Sequence, residues 1–297
     1  MSTAQWLSRQ PEESSREVSR ARMTRWLVAL VLLAGACIAY LPYGLAKVTP
    51  TTVRLPLWIA IAAGFGIAAL AVRSRDRFKS AWPPLFAFFV ASASQLIDWQ
   101  FSHWLPRLLK VPLESSTGLA LDKLESSLLL VGVILLLVLL AGDSLGSVYL
   151  KRGKVRWWLP VGIAAFLIFG LIPLTTAQTL FGSGPIALNE IVRVWPWVLI
   201  FVLANGFAEE LLFRGLLLPR LQPSVGIGPA ILVVTTVFTL WHLGANYAAS
   251  LPIFLAIVFC LGLAWAILTV KTDSLWGAVL FHAGTDIPIA IALLVTL

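Results

Sequence analysis

The stretch Asn205-Gly-Phe-Ala-Glu209-Glu210-Leu-Leu-Phe-Arg214-Gly215 sets three ionisable side chains inside apolar sequence. A charged group near the centre of a bilayer costs roughly 2.5–3.5 kcal/mol on insertion scales, so two adjacent carboxylates and an arginine there require partners. With about 3.6 residues per helical turn, Glu210 and Arg214 share one face, acid before base, which is the favourable order. Glu209 is rotated from that face by about 100°. The spacing predicts one structural carboxylate, Glu210, neutralised by Arg214, beside one reactive carboxylate, Glu209, with lone pairs free for a proton or a water.

The sequence around this stretch belongs in a membrane. Of 297 residues, 59% are hydrophobic and only 12% charged, and the mean hydropathy is +0.89. These values indicate a multi-span protein. The apolar runs are continuous and do not alternate with period two, which excludes a sheet barrel and predicts an all-α, multi-pass transmembrane helical bundle with a polar intramembrane cavity. The net charge of +8 comes from basic residues clustered in short connections, with no soluble domain left over to present a basic face. Nucleic acid is thereby excluded as a partner; the lipid bilayer is the expected surrounding. Cys37 and Cys260 lie in apolar runs without a CxxC spacing, so they are expected to be buried thiols without a disulfide.

Residues 1–25 form a polar tail in which arginines and glutamates interleave. Apolar runs follow at 26–46, 56–72, 82–101, 124–141, 157–175, 195–218, 229–248, 252–270 and 275–296. The nine runs predict nine spans, or eight with one re-entrant segment, since the Asn-Tyr-Ala-Ala-Ser-Leu-Pro252 connection is tight. Assigning the tail and every second loop to the cytosol puts 16 of the 22 Lys and Arg residues there. The positive-inside rule then gives a cytosolic N-terminus, with the bacterial plasma membrane as the expected location. Trp82, Trp157, Trp158, Trp195, Trp197 and Trp276 fall near run ends, as headgroup anchors do. The segment 102–123, with Pro106, Pro112 and a turn cluster at 114–118, is expected to lie at the interface, with His103 solvated at its start. The break at Gly142-Asp-Ser and the basic 151–156 loop divide the chain into a tail (1–25), an amino-terminal four-span bundle (26–141) and a carboxy-terminal five-span membrane domain (142–297).

All the remaining intramembrane candidates lie in the last part. One run carries Phe238-Thr-Leu-Trp-His242 and the final one Phe281-His282-Ala-Gly-Thr-Asp286. His282 and Asp286, four apart, share a face. At about 1.5 Å per residue from the cytosolic ends, Glu209 lies ~13 Å deep, His242 ~20 Å and His282 ~10 Å. Each polar group is costly alone, so convergence on one cavity is the cheapest arrangement. A carboxylate beside a neutral histidine can hold and deprotonate a water; a second histidine with an aspartate or asparagine can donate to a developing oxyanion. That equipment suffices for amide hydrolysis without a serine or cysteine nucleophile.

The motifs Glu209-Glu210-x-x-x-Arg214, Phe238-x-x-x-His242 and His282-x-x-x-Asp286, in this order on successive hydrophobic segments, resemble those of the CPBP family of intramembrane proteases. That family includes the type II CAAX prenyl endopeptidases and bacteriocin-processing or self-immunity proteins. The resemblance covers roughly residues 140–297. It implies Glu209 as general base, His242 as its partner in holding the attacking water, His282 and Asp286 at the oxyanion, and Glu210 with Arg214 shaping the site. It also implies a peptide or protein substrate, lipidated or not. The last motif position is usually asparagine in that family and is Asp286 here; an ionised aspartate cannot donate, so it is either protonated or it orients His282.

His242, His282 and Glu209 also make a chemically reasonable zinc set, and members of the family are often labelled metalloproteases. The chain has no HExxH pair, however, so the spacing favours no metal cofactor. Two non-hydrolytic alternatives stand beside the peptidase. A transporter would distribute charges along a route through both halves, with Asp98 and Asp143 as its remaining candidates. A membrane chaperone or immunity factor would keep the fold and bind a peptide without cutting it, and buried Glu-Arg pairs can lock a bundle without turnover.

Overall fold

A computed structural model describes residues 3–46, 49–171, 177–178, 180–181, 184–245 and 247–297, with side chains described from residue 21 onward. Among them the regular structure is all helical, without a strand. The helices are α1 (Thr3–Gly44), α2 (Thr51–Arg73), α3 (Trp82–Gln100), the short α4 (Trp104–Leu109), α5 (Ser116–Leu140), α6 (Val155–Leu171), α7 (Leu188–Glu210), α8 (Leu218–Val225), α9 (Ile227–Trp241), α10 (Leu251–Thr272) and α11 (Trp276–Val295). Among the described residues, eight helical segments are long and apolar enough to cross a bilayer. This is an integral, multi-pass membrane protein.

Where the expected spans and the observed helices differ, local chemistry accounts for it. The run expected at 157–175 appears as the shorter apolar helix Val155–Gly170, and its end at 172–175 falls outside the described residues. The runs flanking the tight 245–250 connection are full-length helices, Ile227–Gly244 and Leu251–Thr272, so no re-entrant segment is needed there. Helix α5 begins at Ser116, eight residues before the expected 124, because Ser115 caps it by accepting from Gly118 N at 3.0 Å. Its first turns tolerate Asp122, Lys123 and Glu125 because those side chains find partners. Asp122 Oδ1 lies 2.5 Å from His103 Nδ1, so His103, whose side chain is 38% exposed, is paired as well as solvent-accessible. Glu125 accepts from Leu105 N at 2.5 Å. The polar tail continues α1 without a break from Thr3. Cys260 is exposed and Cys37 half-buried, both free thiols, so the expectation of two buried cysteines fails for both. Their surroundings are apolar on the outside of the bundle as well as within it, and burial cannot be inferred from an apolar run alone.

Helix α11 is the axis of the carboxy-terminal part, packing against α6, α7 and α10. Two small residues permit this: a Cβ at Gly284 would stand 2.5 Å from Phe166 Cα, and one at Gly206 would stand 3.1 Å from Ala283 N. Close backbone approach at small residues is how helices associate where hydrophobic driving force is lacking. Helix α5 lies along α7, α3 packs on α2 and α5, and α1 reaches across to α9, so the largest apolar core draws on both halves of the chain.

Candidate active site

Helix α7 does not continue as a regular α-helix through the motif: Leu211–Leu217 forms a π-helical segment leading into α8. The expected 3.6-residue geometry therefore ends at Glu210. Such wide turns are rare and recur at functional sites. The pair predicted from the spacing still forms, with Arg214 Nη1 2.8 Å from Glu210 Oε1 and both side chains 0% exposed. Arg214 Nη2 also donates to Gly262 O at 3.1 Å on α10, and its guanidinium lies over the Phe238 ring at 4.3 Å and the Trp265 ring at 5.3 Å. The arginine thus meets a carboxylate, a carbonyl and two aromatic faces, the surroundings a cation requires away from water.

The three motifs converge. From α11, His282 Nδ1 lies 2.8 Å from Glu210 Oε1, while its Nε2 lies 3.6 Å from both Glu209 Oε2 and Asp286 Oδ1. From the end of α9, His242 Nε2 lies 3.9 Å from Glu209 Oε2. His242 Nδ1 is 2.8 Å from Phe238 O, which can only accept, so Nδ1 carries the proton and Nε2 of the neutral ring presents its lone pair towards Glu209. Glu209 Oε2 is buried and makes no hydrogen bond within the protein. The separations of 3.6 and 3.9 Å to the two imidazoles exceed direct hydrogen bonding but are narrow enough for one oxygen atom to bridge.

The His282 ring is hydrogen-bonded to Glu210 through Nδ1, while Asp286 Oδ1 stands beyond hydrogen-bond distance of Nε2 at 3.6 Å. Asp286 Oδ2 instead accepts from Asn205 Nδ2 at 2.8 Å. Asn205, four residues before Glu209, received no role from the sequence, although an amide at intramembrane depth is itself a signal. Trp265 was also missed: its ring stacks on the His282 imidazole at 4.0 Å and 7°. Nothing in the spacing of α10 marks it.

A small cavity of about 80 Å³ opens on this cluster, with His242, His282 and Asp286 in its wall and Phe169, Phe254 and Leu261 among its apolar lining. A larger apolar groove of about 600 Å³ between α5, α6, α7 and α11 has none of the six predicted site residues in its wall. Of the six, His242, His282 and Asp286 line the small cavity, and Glu209, Glu210 and Arg214 stand outside its lining. As for zinc, no group of three or more His, Cys, Asp or Glu among the described residues has the arrangement of a metal site. His282 Nδ1 is committed to Glu210 and His242 Nδ1 to a carbonyl.

Residues 191–288 match the family model described as Rce1-like, type II CAAX prenyl endopeptidase Rce1-like. No curated protein and no solved structure matches the chain. The matched segment contains all six predicted site residues and Asn205, and the family is one of peptidases acting on peptide or protein substrates in membranes. The match over residues 191–288 is consistent with the resemblance to the CPBP family of intramembrane proteases.

Proposed function

We propose that the protein is an intramembrane endopeptidase in which Glu209 activates a water for attack on a peptide carbonyl. The observation that carries this is the position of Glu209 Oε2, buried, unbonded within the protein, and within 3.6–3.9 Å of two imidazole nitrogens. Water held there donates one hydrogen to Glu209 Oε2 and the other to the lone pair of His242 Nε2. Glu209 takes the proton as the water oxygen bonds to the carbonyl carbon. The C–N bond then breaks, and Glu209 returns that proton to the leaving amine.

Oxyanion stabilisation falls to α11 and Asn205. When protonated, His282 donates from Nδ1 to Glu210 and from Nε2 into the cavity, where the carbonyl oxygen would sit. Asn205 supplies the amide donor that an aspartate at the last motif position lacks, and Asp286 holds that amide through its own carboxylate. The pathway uses no metal. The division at residue 142, the cytosolic N-terminus and the bacterial plasma membrane remain part of this proposal, and the substrate is a membrane-associated or CAAX-like peptide.

The test is a comparison of membrane proteomes from cells carrying the wild-type chain or Glu209→Gln. Accumulation of an uncut species only with the variant, and its conversion by purified wild-type protein, supports the proposal. Equal processing by both proteins would favour a binding or immunity role of the same fold.

A further inference from the structure

The last turn of α1 lies outside the matched segment, yet it touches the π-helical segment that begins two residues after Glu209 and the turn that carries His242. Tyr40, fully buried, donates its hydroxyl to Leu212 O in the π-helical segment at 3.2 Å and packs its ring on Phe213 at 5.0 Å. One turn later Tyr43 stacks on Trp241 at 6.1 Å and 9°, and Trp241 meets the edge of the His242 ring at 5.4 Å. The backbones also touch there. A Cβ on Gly44 would stand 2.4 Å from Trp241 O, and one on Gly244 would stand 2.5 Å from Gly44 O. Tyr43 is itself held, its hydroxyl hydrogen-bonded to the buried Asp98 carboxylate of α3 and its ring against Trp58 of α2.

We infer that residues Tyr40 to Gly44 are a positioning element of the active site: the amino-terminal half fixes the spacing between Glu209 and His242 by seating α1 on the π-helical segment and on the His242 turn at once. The geometry requires an external support of this kind. The His242 turn is a single 3₁₀ turn, His242–Gly244, at the end of α9, and short turns at helix ends fray unless packed. Glu209 and His242 are 3.9 Å apart without a direct bond between them, so nothing within the pair sets that distance. Misplacement by about 1 Å can cost on the order of 100-fold in rate, which makes the support consequential. Tyr43 and Asp98 act through Trp241 and not on substrate.

This rests on the hydrolytic role proposed for Glu209 and His242, so the test pairs turnover with a readout that needs none. The chain has three histidines, and their imidazole ¹⁵N signals in the detergent-solubilised full chain can be assigned with His103→Gln, His242→Gln and His282→Gln. Tyr43→Leu is expected to lower kcat by roughly 10-fold or more with KM within about twofold, and to shift the His242 signals while leaving His103 in place. Tyr43→Phe, which keeps the stacked ring and loses only the bond to Asp98, recovers most of kcat and leaves a small residual shift of the His242 signals. Unmoved His242 signals with full kcat per folded molecule in Tyr43→Leu would overturn the inference and leave α1 with packing alone. If Tyr43→Leu does not fold, Asp98→Asn carries the same readouts: a smaller His242 shift in the same direction supports the inference and an unchanged spectrum overturns it. Full turnover by His242→Ala would instead remove the proposed mechanism, while the spectra still report whether α1 sets the position of that ring.

Discussion

Glu210 Oε1 stands 2.8 Å from His282 Nδ1 and therefore joins α7 to α11 through a single carboxylate oxygen. The same oxygen accepts from Arg214, so the residue that neutralises the buried arginine also fixes the imidazole facing Glu209. Removing it strands a cation and releases a ring at once. Glu210→Ala is expected to lower the thermal midpoint in detergent by an amount equivalent to about 3–5 kcal/mol and to abolish turnover. Differential scanning fluorimetry beside a peptide-cleavage assay checks both; an unchanged midpoint would mean that Arg214 has other compensation.

Glu209 presents the opposite case. Its Oε2 makes no hydrogen bond within the protein, so Glu209→Gln removes the proposed base without removing a hydrogen bond of that oxygen. Turnover is expected to fall by roughly 10²–10⁴-fold, with the melting midpoint within a degree or two of wild type. A variant retaining a tenth of the wild-type rate would show that the base lies elsewhere.

The Asn205–Asp286 bond separates two roles that the motif alone merges. Asp286→Asn restores the commoner residue and can still accept from Asn205, so activity is expected to stay within about tenfold of wild type, since only the charge of one partner changes. Asn205→Leu removes the amide donor and leaves Asp286 buried without a partner. It is expected to cost roughly 10²–10³-fold in kcat, the range for loss of one oxyanion donor. Steady-state kinetics on both variants decide between these roles; the reverse order of severity would assign the donor to position 286.

Trp265 stacks on His282 and lies beneath Arg214, so one indole serves two cationic or polarisable groups. Trp265→Leu is expected to destabilise the protein by about 1–2 kcal/mol through lost cation–π and stacking contact, with Trp265→Phe recovering part of it. Unfolding midpoints of the two variants provide the measurement.

Metal dependence yields the plainest contrast. In the proposed mechanism the protein's own carboxylate and imidazoles supply the base and donors, so dialysis against EDTA or 1,10-phenanthroline is expected to leave the cleavage rate unchanged. Loss of activity restored by zinc would place the ion among Glu209, His242 and His282.

Much of the site could be read from the chain. Buried charges in apolar sequence announce themselves because the bilayer makes each costly, and the four-residue spacings of Glu210 with Arg214 and of His282 with Asp286 named which side chains share a face. The convergence of Glu209, His242 and His282 followed from the same cost. The spacing placed His282 and Asp286 on one face, and His282 Nε2 does stand 3.6 Å from Asp286 Oδ1, but it could not name Glu210 on a facing helix as the partner of Nδ1 at 2.8 Å.

What the sequence by itself determined is a helical membrane bundle and the identity of its polar intramembrane residues, since both follow from hydropathy and helical period, which are local properties. Only the tertiary structure decided the π-helical segment after Glu210, the pairing of Asn205 with Asp286, the indole against His282, and the seating of α1 on the His242 turn. Each of these joins residues on different helices or depends on how backbones pack, and no repeat along the chain encodes which helix will face which.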